Sequence, residues 1–327
     1  MIQIAEHTEG LVPGPGLYRM PAKVYHADPS PEPSLSSSIA KLIIEQSPEH
    51  AACAHPRIAK PKDADERDPT RPKEIGTAAH KLILGAGEQL VIIEADDYKT
   101  GFAKSERARA YMDGASPILR PDAQKAETLA DRVLSGLAGM DGCDAFAAAE
   151  SEVVAICRDQ SGAWLRIMMD RVEIYPTHAI IWDVKTGEQS AAPQTLGRRI
   201  DNMNMEIQAA LYVHVLGLLF PKLQGRIRFR WIFVENEFPH GLSVAEVDNV
   251  GMGIGSRKVA AAIHRWNQCL KTGNWPGYPT DIVRAEFPEW ASKRWAEREE
   301  LDPQLRGVPN FDLANSPWRP LDYGDAA

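Results

Sequence analysis

Apolar residues recur at helical spacing in the first part of the chain. The serines that end at Ser38 precede an apolar pattern over 39–43, and serine is a favoured N-cap residue, so a helix begins there. The same spacing predicts a short helix over 75–85, ended by Gly85, and a longer helix over 121–140. The chain is therefore predicted to open with helices.

The period then changes from helical to alternating. Three strand-like runs occupy 152–158, 163–173 and 179–185, and short segments of turn-forming residues separate them. Consecutive strands with such short connections pair with one another. This region is therefore predicted to be an antiparallel meander.

Helical and alternating patterns succeed each other in the rest of the chain. Residues 200–219 predict a helix that Pro221 helps to end, 226–235 predict a strand, and 256–272 predict a helix that ends near Gly273. The order of helices, strands, helix, strand and helix indicates the α/β or α+β class rather than a regular βαβ array.

Two segments have little apolar content. Residues 55–74 hold four prolines and eleven charged residues, which predicts a long mobile loop. After residue 280 the chain has few long apolar runs, so 281–327 are predicted to form an appended C-terminal helix and tail. The remainder, 1–280, is expected to be one domain.

The composition is that of a folded, water-soluble protein. Hydrophobic residues make up 44% of the chain and charged residues 25%, and no run of about 18 apolar residues predicts a transmembrane helix. The first ten residues lack the pattern of a secretory signal, and the four cysteines are widely scattered. We therefore expect a cytoplasmic protein without membrane association, disulfides, structural zinc or an iron–sulfur cluster.

Asp183 and Lys185 carry the strongest chemical signal. They lie two residues apart in the third predicted strand, so both side chains project from one face, and apolar neighbours occupy the other. Asp170 lies in the preceding strand, where a hairpin would bring it beside Asp183. Two carboxylates and a main-chain carbonyl suit Mg²⁺, which takes few protein ligands and keeps several waters. An adjacent lysine can hold the attacking water or offset charge on a phosphate.

Taken singly, these residues and others near them have ordinary structural explanations. Asp and Lys are common at the surface ends of strands, and His80 alone is typical of a packed or surface histidine. Glu150 alone is typical of a solvated or capping carboxylate. Tyr212, four residues after Gln208 on the same helix face, is typical of a core residue. The information lies in their order along the chain.

The ordered series resembles a known family. It comprises Gly76-x-x-x-His80, Ala149-Glu150, Asp170-Arg171, Asp183-Val184-Lys185-Thr186 and Gln208-x-x-x-Tyr212. This series is similar to the motifs of the PD-(D/E)XK nuclease superfamily, in its RecB-like branch. The closest likeness is to the phage and prophage RecE-type exodeoxyribonuclease VIII domain, and it extends over residues 17–280.

The resemblance implies a restriction-endonuclease-like core, with a central mixed sheet flanked by helices, and a role for each matched residue. Asp170 and Asp183 would bind Mg²⁺, for which Mn²⁺ could substitute, together with the Val184 carbonyl, and Lys185 would position the nucleophilic water. His80 and Glu150 would complete or support the metal site. Gln208 and Tyr212 would orient the site or touch the DNA backbone.

The activity that the resemblance implies is metal-dependent cleavage of DNA. We expect a double-strand exonuclease that resects DNA ends for single-strand annealing recombination in a bacterial or phage-infected cell, with a RecT-type annealing protein as partner and a homo-oligomeric assembly. A RecB-like nuclease of another DNA-processing or defence system is an alternative, although such proteins usually bring iron–sulfur cysteines or a helicase. A non-catalytic DNA-binding protein is a third, because a fold alone does not establish chemistry.

The net charge of −8 opposes general attraction to a polyanion, so DNA binding would depend on a local basic lining. Three groups of residues can supply it: Arg198 and Arg199 before the Gln208 helix, Arg226, Arg228 and Arg230 on one face of a strand, and Lys60, Lys62, Arg71 and Lys73 in the predicted loop. The strand arginines have an alternative explanation, as the solvated edge of a sheet protected against aggregation.

Overall fold

A mixed sheet runs through the computed structural model, which describes residues 3–58 and 70–301. The strands among these residues are β1 (Ile4–Glu6), β2 (Gly16–Arg19), β3 (Ser34–Leu35), β4 (Leu90–Ile93), β5 (Ser116–Leu119), β6 (Glu150–Arg158), β7 (Trp164–Ile174), β8 (Ala179–Gly187), β9 (Ile227–Glu235) and β10 (Leu242–Ala245). The helices are α1 (Ala22–His26), α2 (Ser37–Glu45), α3 (Pro48–Ala54), α4 (Arg71–Leu84), α5 (Gly101–Met112), α6 (Arg120–Ala138), α7 (Pro193–Asn202), α8 (Met205–Leu219), α9 (Asn249–Thr272) and α10 (Glu289–Leu301).

Eight of these strands form one sheet, in the order β1-β2-β6-β7-β8-β9-β10 with β3 beside β7. β6, β7 and β8 are consecutive and antiparallel, which confirms the predicted meander. β9 lies parallel to β8, so the sheet is mixed, and β4 and β5 form a small parallel sheet of their own. The predicted α/β class, with a central mixed sheet between helices, is confirmed.

Helices cover both faces of the sheet. On one face α2, α8 and α9 pack over side chains such as Ile181 and Phe233. On the other face α4 and α6 pack over Trp182 and Val184. Full burial of one such side chain contributes about 1.5–3 kcal/mol to stability, so each face has a strong preference for apolar residues. Successive residues of β8 therefore enter two different cores.

Two helix ends follow the predicted chemistry. The Ser36 hydroxyl accepts a hydrogen bond from the main-chain N–H of Ile39 over 3.5 Å and caps α2. Gly85 ends α4 in the left-handed conformation, with φ of 64°, which a residue with a Cβ rarely adopts. These ends depend on local residues alone.

The predicted helix over 200–219 is wrong as a single element. Residues 200–202 are the end of α7, and α8 follows after Met203 and Asn204, the second of which has a left-handed φ of 49°. The last helix of the main unit also begins earlier than the predicted residue 256, because Asp248 caps α9 by accepting a hydrogen bond of 2.8 Å from the Gly251 N–H. Apolar periodicity continues through both features and does not reveal either.

The predicted loop over 55–74 begins where α3 ends but overlaps the start of α4, and 59–69, with Lys60 and Lys62, lie outside the described residues. His55 is fully buried, and α4 already begins at Arg71. Arg71 forms an ion pair with Asp122 of α6. Glu74 is buried and accepts hydrogen bonds of 2.8–2.9 Å from the side chains of Arg107, Tyr98 and Tyr111. Partners distant in sequence neutralise these charges, and the composition of the segment does not show them.

A buried charged cluster fixes the chain before α2. The Asp28 carboxylate is fully buried and lies 3.2 Å from the Arg166 guanidinium of β7 and 3.3 Å from the His55 ring. It also accepts a hydrogen bond of 2.9 Å from the Ser34 N–H. Arg166 donates to the Ser34 carbonyl over 2.6 Å. The residues that lead into α2 are thus tied to the strand that carries Asp170.

α8 and α9 approach each other at a glycine. A Cβ on Gly255 would lie 2.4 Å from the Glu206 carbonyl oxygen of α8, far inside van der Waals contact. The contact therefore requires glycine at this position of α9. It sets the distance at which α9 holds α8 against the sheet.

By its contacts the chain divides into a unit that ends at Tyr278 and a second unit that begins at Pro279. The described part of the second unit, 279–301, contains α10. The assignment of 1–280 to an exonuclease domain and of 281–327 to a helix and tail stays a prediction. No helix within the described ranges is long and apolar enough to cross a bilayer.

Candidate active site at the fork of the sheet

β7 and β8 separate at two aspartates. The two strands pair as far as Arg171 with Trp182. Toward its first residue, β7 remains paired with β6 and also pairs with β3 at Trp164 and Leu165. β8 instead continues beside β9. Asp170 and Asp183 are the next residues on the two strands, so they lie at the fork of the sheet.

Asp170 connects the elements that meet at the fork. Its Oδ2 accepts a hydrogen bond of 2.7 Å from the main-chain N–H of Val184. The same oxygen lies 2.9 Å from Nε2 of His80, which α4 places over the sheet. Hydrogen bonds to a charged acceptor are stronger than neutral ones, so Asp170 is held in position by both strand and helix.

Asp183 is buried and held from two directions. The Lys185 ammonium forms an ion pair with its Oδ2, and the Gln208 side chain of α8 donates to its Oδ1 over 2.6 Å. The neighbours Trp182 and Val184 enter the opposite core. The period of the strand therefore places Asp183 and Lys185 on one face, as the sequence predicts.

Gln208 and Tyr212 share a face of α8, but only Gln208 donates to an aspartate. The Tyr212 hydroxyl donates to the Met168 carbonyl over 2.8 Å, and its ring packs edge-on against Phe229. Burial raises the pKa of Tyr212 well above its ordinary value, so the hydroxyl remains a donor. Tyr212 thus fixes β7 two residues before Asp170.

Glu150 lies outside this cluster, and Glu152 lies near it. The Glu150 carboxylate is exposed and pairs with Arg19 over 2.7 Å. Glu152 has a left-handed φ of 51°, which breaks the alternation of β6 where the strand passes Asp170. Burial raises the pKa of Glu152, although the nearby charge of His80 opposes this shift. The sequence offers two glutamates two residues apart, and strand alternation cannot choose between them.

Burial and charge affect the two aspartates differently. Burial raises the pKa of Asp183, and the charge of Asp170 adds to this effect against the opposing field of Lys185. Burial also disfavours charge on Asp170, but His80 and Lys185 lower the pKa of this carboxyl overall. Burial disfavours charge on Lys185 as well, yet the two aspartates raise its pKa. The cluster therefore holds closely spaced, poorly hydrated charges.

A family described as "PDDEXK-like domain of unknown function (DUF3799)" matches residues 36–285 of this sequence. The chain belongs to this PDDEXK-like family. The matched range includes the fork, α4 and α8. No curated protein matches the sequence.

Two solved structures resemble this PDDEXK-like chain. A protein from Eubacterium rectale described as a putative exonuclease has a TM-score of 0.54 at 10% identity, over 84% of this chain and 98% of that one. The protein SSO0001 has a TM-score of 0.26 at 14% identity, over 58% and 85% of the two chains. The first likeness is one of fold alone, and together with the family it agrees with the predicted restriction-endonuclease-like core.

The PDDEXK-like site fits a hard divalent cation. Among the residues that the structure describes, no three His, Cys, Asp or Glu side chains form a ligand set. The oxygen donors that the fork offers are the two carboxylates of Asp170 and Asp183, and the Val184 carbonyl would complete the set. Among the described residues, the buried Oδ2 of Asp183 has the Lys185 ammonium as its partner. Mg²⁺ suits such a sparse set of oxygen donors, because it keeps several waters. His80 would support Asp170.

Arg199 lies beside the PDDEXK-like site and Arg198 is exposed. The Arg199 guanidinium lies over the Phe233 ring at 4.6 Å, and Phe233 is paired with Lys185 in the ladder between β8 and β9. Within the described ranges it donates only to main-chain carbonyls, and its Nε is buried without a partner. Arg199 is therefore a cation next to Lys185 that pairs with no carboxylate in the part of the chain that the structure describes.

Arg228 and Arg230 do not face the site. Arg230 is level with Trp182 in the ladder and lies over its ring at 4.9 Å, on the face opposite Asp183. Both arginines pair with Glu246, over 3.5 and 2.7 Å. The strand arginines do not form a wholly free basic face, because both pair with Glu246, whose single negative charge offsets one of their two positive charges. The alternative of an edge strand is wrong, because β9 lies between β8 and β10.

A cleft of about 690 Å³ opens beside the fork, between α4, the end of β8 and α7. Its lining includes the basic residues Lys73, His80 and Arg199, one acidic residue, Glu188, and small residues such as Gly187. Cationic open grooves of this kind suit the backbone of a nucleic acid strand. The cleft continues the candidate site on the β9 side.

Proposed function

We propose that this protein is a Mg²⁺-dependent deoxyribonuclease that hydrolyses phosphodiester bonds at the fork between β7 and β8. The observation that carries the proposal is the convergence of Asp170, Asp183 and Lys185 at that fork. Burial of charged groups costs free energy and is weak evidence for a stabilising role. Perturbed charges gathered in one place beside a cleft are typical of a functional site.

Phosphodiester hydrolysis needs an aligned water and relief of the charge on the phosphate. A divalent ion held by Asp170, Asp183 and the Val184 carbonyl would supply Lewis-acid stabilisation of that charge. The Lys185 ammonium can donate a hydrogen bond to the attacking water or to a phosphate oxygen while it stays paired with Asp183. Gln208 and His80 keep the two carboxylates oriented, one from each face of the sheet.

The substrate that we propose is the end of double-stranded DNA. The motif series that resembles RecE-type domains supports this choice, as does the fold shared with a protein described as a putative exonuclease. In this proposal the enzyme resects DNA ends in the cytoplasm of a bacterial or phage-infected cell. It acts as a homo-oligomer, and a RecT-type annealing protein takes up the exposed strand.

The test is digestion of one plasmid in three forms: linear, nicked-circular and covalently closed. An exonuclease releases nucleotides from linear DNA in Mg²⁺ and leaves the closed form intact. Fragmentation of closed circles would indicate an endonuclease instead. An Asp183→Asn variant, which keeps the shape of the side chain, serves as the control for a contaminating nuclease. Absence of cleavage in every form, despite DNA binding, would favour the non-catalytic alternative.

A further inference from the structure

Lys41 is a half-buried cation in the neighbourhood of the fork. It lies on α2, whose neighbouring residues Ala40 and Ile43 are buried in the core. The ammonium makes no ion pair or hydrogen bond with any of the described residues. The charges that act on it most strongly are those of Lys185, Asp183 and Glu206. α2 packs with α8 over the face of the sheet from which Asp183 and Lys185 project, so Lys41 lies on the side of the sheet that carries this pair.

The neighbouring carboxylate does not neutralise Lys41. Glu206 pairs instead with Lys258 of α9, over 2.8 Å, and Lys258 also pairs with Glu45. Burial and the positive charge of Lys185 lower the pKa of Lys41. A cation held close to a second cation without a partner destabilises the folded chain. Stability alone would favour an apolar residue at this position.

Lys41 and Arg199 belong to different arms of the fork. α2 follows β3, which pairs with β7, whereas Arg199 packs against Phe233 of β9. Lys185 lies within the field of both cations. Positive charge that has no carboxylate partner among the described residues is therefore supplied from the β7 arm and from the β9 arm, with the candidate catalytic residues between them.

We propose that Lys41 is a positioning residue that binds a non-bridging oxygen of a DNA phosphate on the β7 side of the fork, while Arg199 serves the β9 side. This inference rests on the proposed function. A phosphodiester backbone carries one negative charge for each nucleotide, so a strand laid across the fork brings a partner to both cations. Lysine is a compact point charge that suits a phosphate oxygen and reads no base sequence.

The first experiment measures the affinity for a labelled duplex in Ca²⁺ over a range of salt concentrations. Lys41→Met should weaken binding about tenfold to a hundredfold, the range expected for one hydrogen bond to a charged group. It should also reduce the slope of log affinity against log salt by about one. Lys41→Arg should restore most of the affinity. Lys104→Met, at an exposed lysine of α5, is the matched control and should bind as the wild type does.

A second experiment locates the contact. Neutral methylphosphonate linkages are placed one at a time in the strand, and the affinities of wild-type protein and Lys41→Met are compared. At one linkage the wild type should lose affinity while Lys41→Met loses none, because the interaction is already missing. Equal losses for both proteins at every linkage would overturn the proposal.

Thermal unfolding separates a structural role from the proposed one. Lys41→Met removes an unpartnered charge, so its melting temperature should equal or exceed that of the wild type. A clearly lower melting temperature would show that Lys41 supports the fold and would overturn the proposal. Wild-type protein that binds DNA through Lys41 but cuts it in no metal would refute the nuclease and keep this inference. Absence of any DNA binding would refute both.

Discussion

The main-chain N–H of Val184 donates a hydrogen bond of 2.7 Å to Oδ2 of Asp170, where the ladder between β7 and β8 has ended. A side chain thus takes the place of the carbonyl that would accept this bond in a continuous sheet. Because the same oxygen contacts His80, one carboxylate sets the spacing of two strands and a helix. Substitution of Asp170 would therefore alter the geometry of the fork as well as its charge, and Asp183 and Lys185 are better positions for testing catalysis.

Asp183→Ala and Lys185→Ala should each remove nearly all cleavage. Loss of one preorganised group in a catalytic site typically raises the barrier by ~3–5 kcal/mol, which is about a hundredfold to several thousandfold in rate. Initial rates on linear duplex DNA give the result, and circular dichroism checks that each variant is folded. Either variant with wild-type turnover would rule out the proposed catalytic assignment.

Cleavage should require Mg²⁺ or Mn²⁺, and Ca²⁺ should permit binding without cleavage. Ca²⁺ takes more ligands at longer distances, so it can neutralise the carboxylates but organises the site poorly for attack. Product release is measured in each metal, with EDTA as the blank. Activity that survives EDTA would contradict a metal-dependent mechanism.

Glu150 and Glu152 form a matched pair for testing which glutamate belongs to the site. Glu152→Gln should reduce cleavage at least tenfold, because Glu152 lies in the field of His80 and Asp170. Glu150→Gln should cleave at close to the wild-type rate, because Glu150 is exposed and pairs with Arg19. The two rates are compared at equal protein and DNA concentrations. The reverse ranking would restore Glu150 to the site.

The arginines allow a similar comparison. The double variant Arg198→Ala/Arg199→Ala should lower the salt slope of DNA affinity by up to about two units, one for each phosphate that the variant no longer binds. Arg228→Ala/Arg230→Ala should leave the slope unchanged, because both side chains project from the face of the sheet opposite Asp183. An unchanged slope in the first variant would place the DNA path away from α7.

Asp28→Asn should destabilise the protein in a way that depends on pH. Burial disfavours charge on Asp28, but His55 and Arg166 lower the pKa of this carboxyl below its ordinary value of 3.8. Its stabilising effect is therefore present above pH 3.8 and is lost as the pH falls below that value. At pH 7 the substitution should cost about 3–5 kcal/mol, the range for breaking a buried ion pair. Urea denaturation at pH 7 and pH 3 measures the difference, which should shrink at the lower pH.

Local patterns predicted the elements of the fold and part of the candidate site. The meander, the serine cap of α2 and the projection of Asp183 and Lys185 from one face of β8 all follow from neighbours within a few residues. The division between α7 and α8 did not, because Asn204 interrupts the backbone without interrupting the apolar pattern. The proximity of Glu152 and Lys41 to the site could not be predicted from local patterns. Glu152 has a left-handed backbone conformation that interrupts the alternation of β6, and Lys41 lies on a helix distant in sequence from the fork.

Gly255 has a consequence for how this site can vary. Glu206, whose carbonyl faces Gly255, precedes Gln208 by two residues in the same helix, and Gln208 holds Asp183. A methyl group at position 255 would force α8 and α9 apart. A shift of α8 would also move the Gln208 amide that orients Asp183. The spacing of the proposed catalytic groups is thus set in part by the thickness of a neighbouring helix. Substitutions in α9 can retune the chemistry while every residue at the fork stays the same.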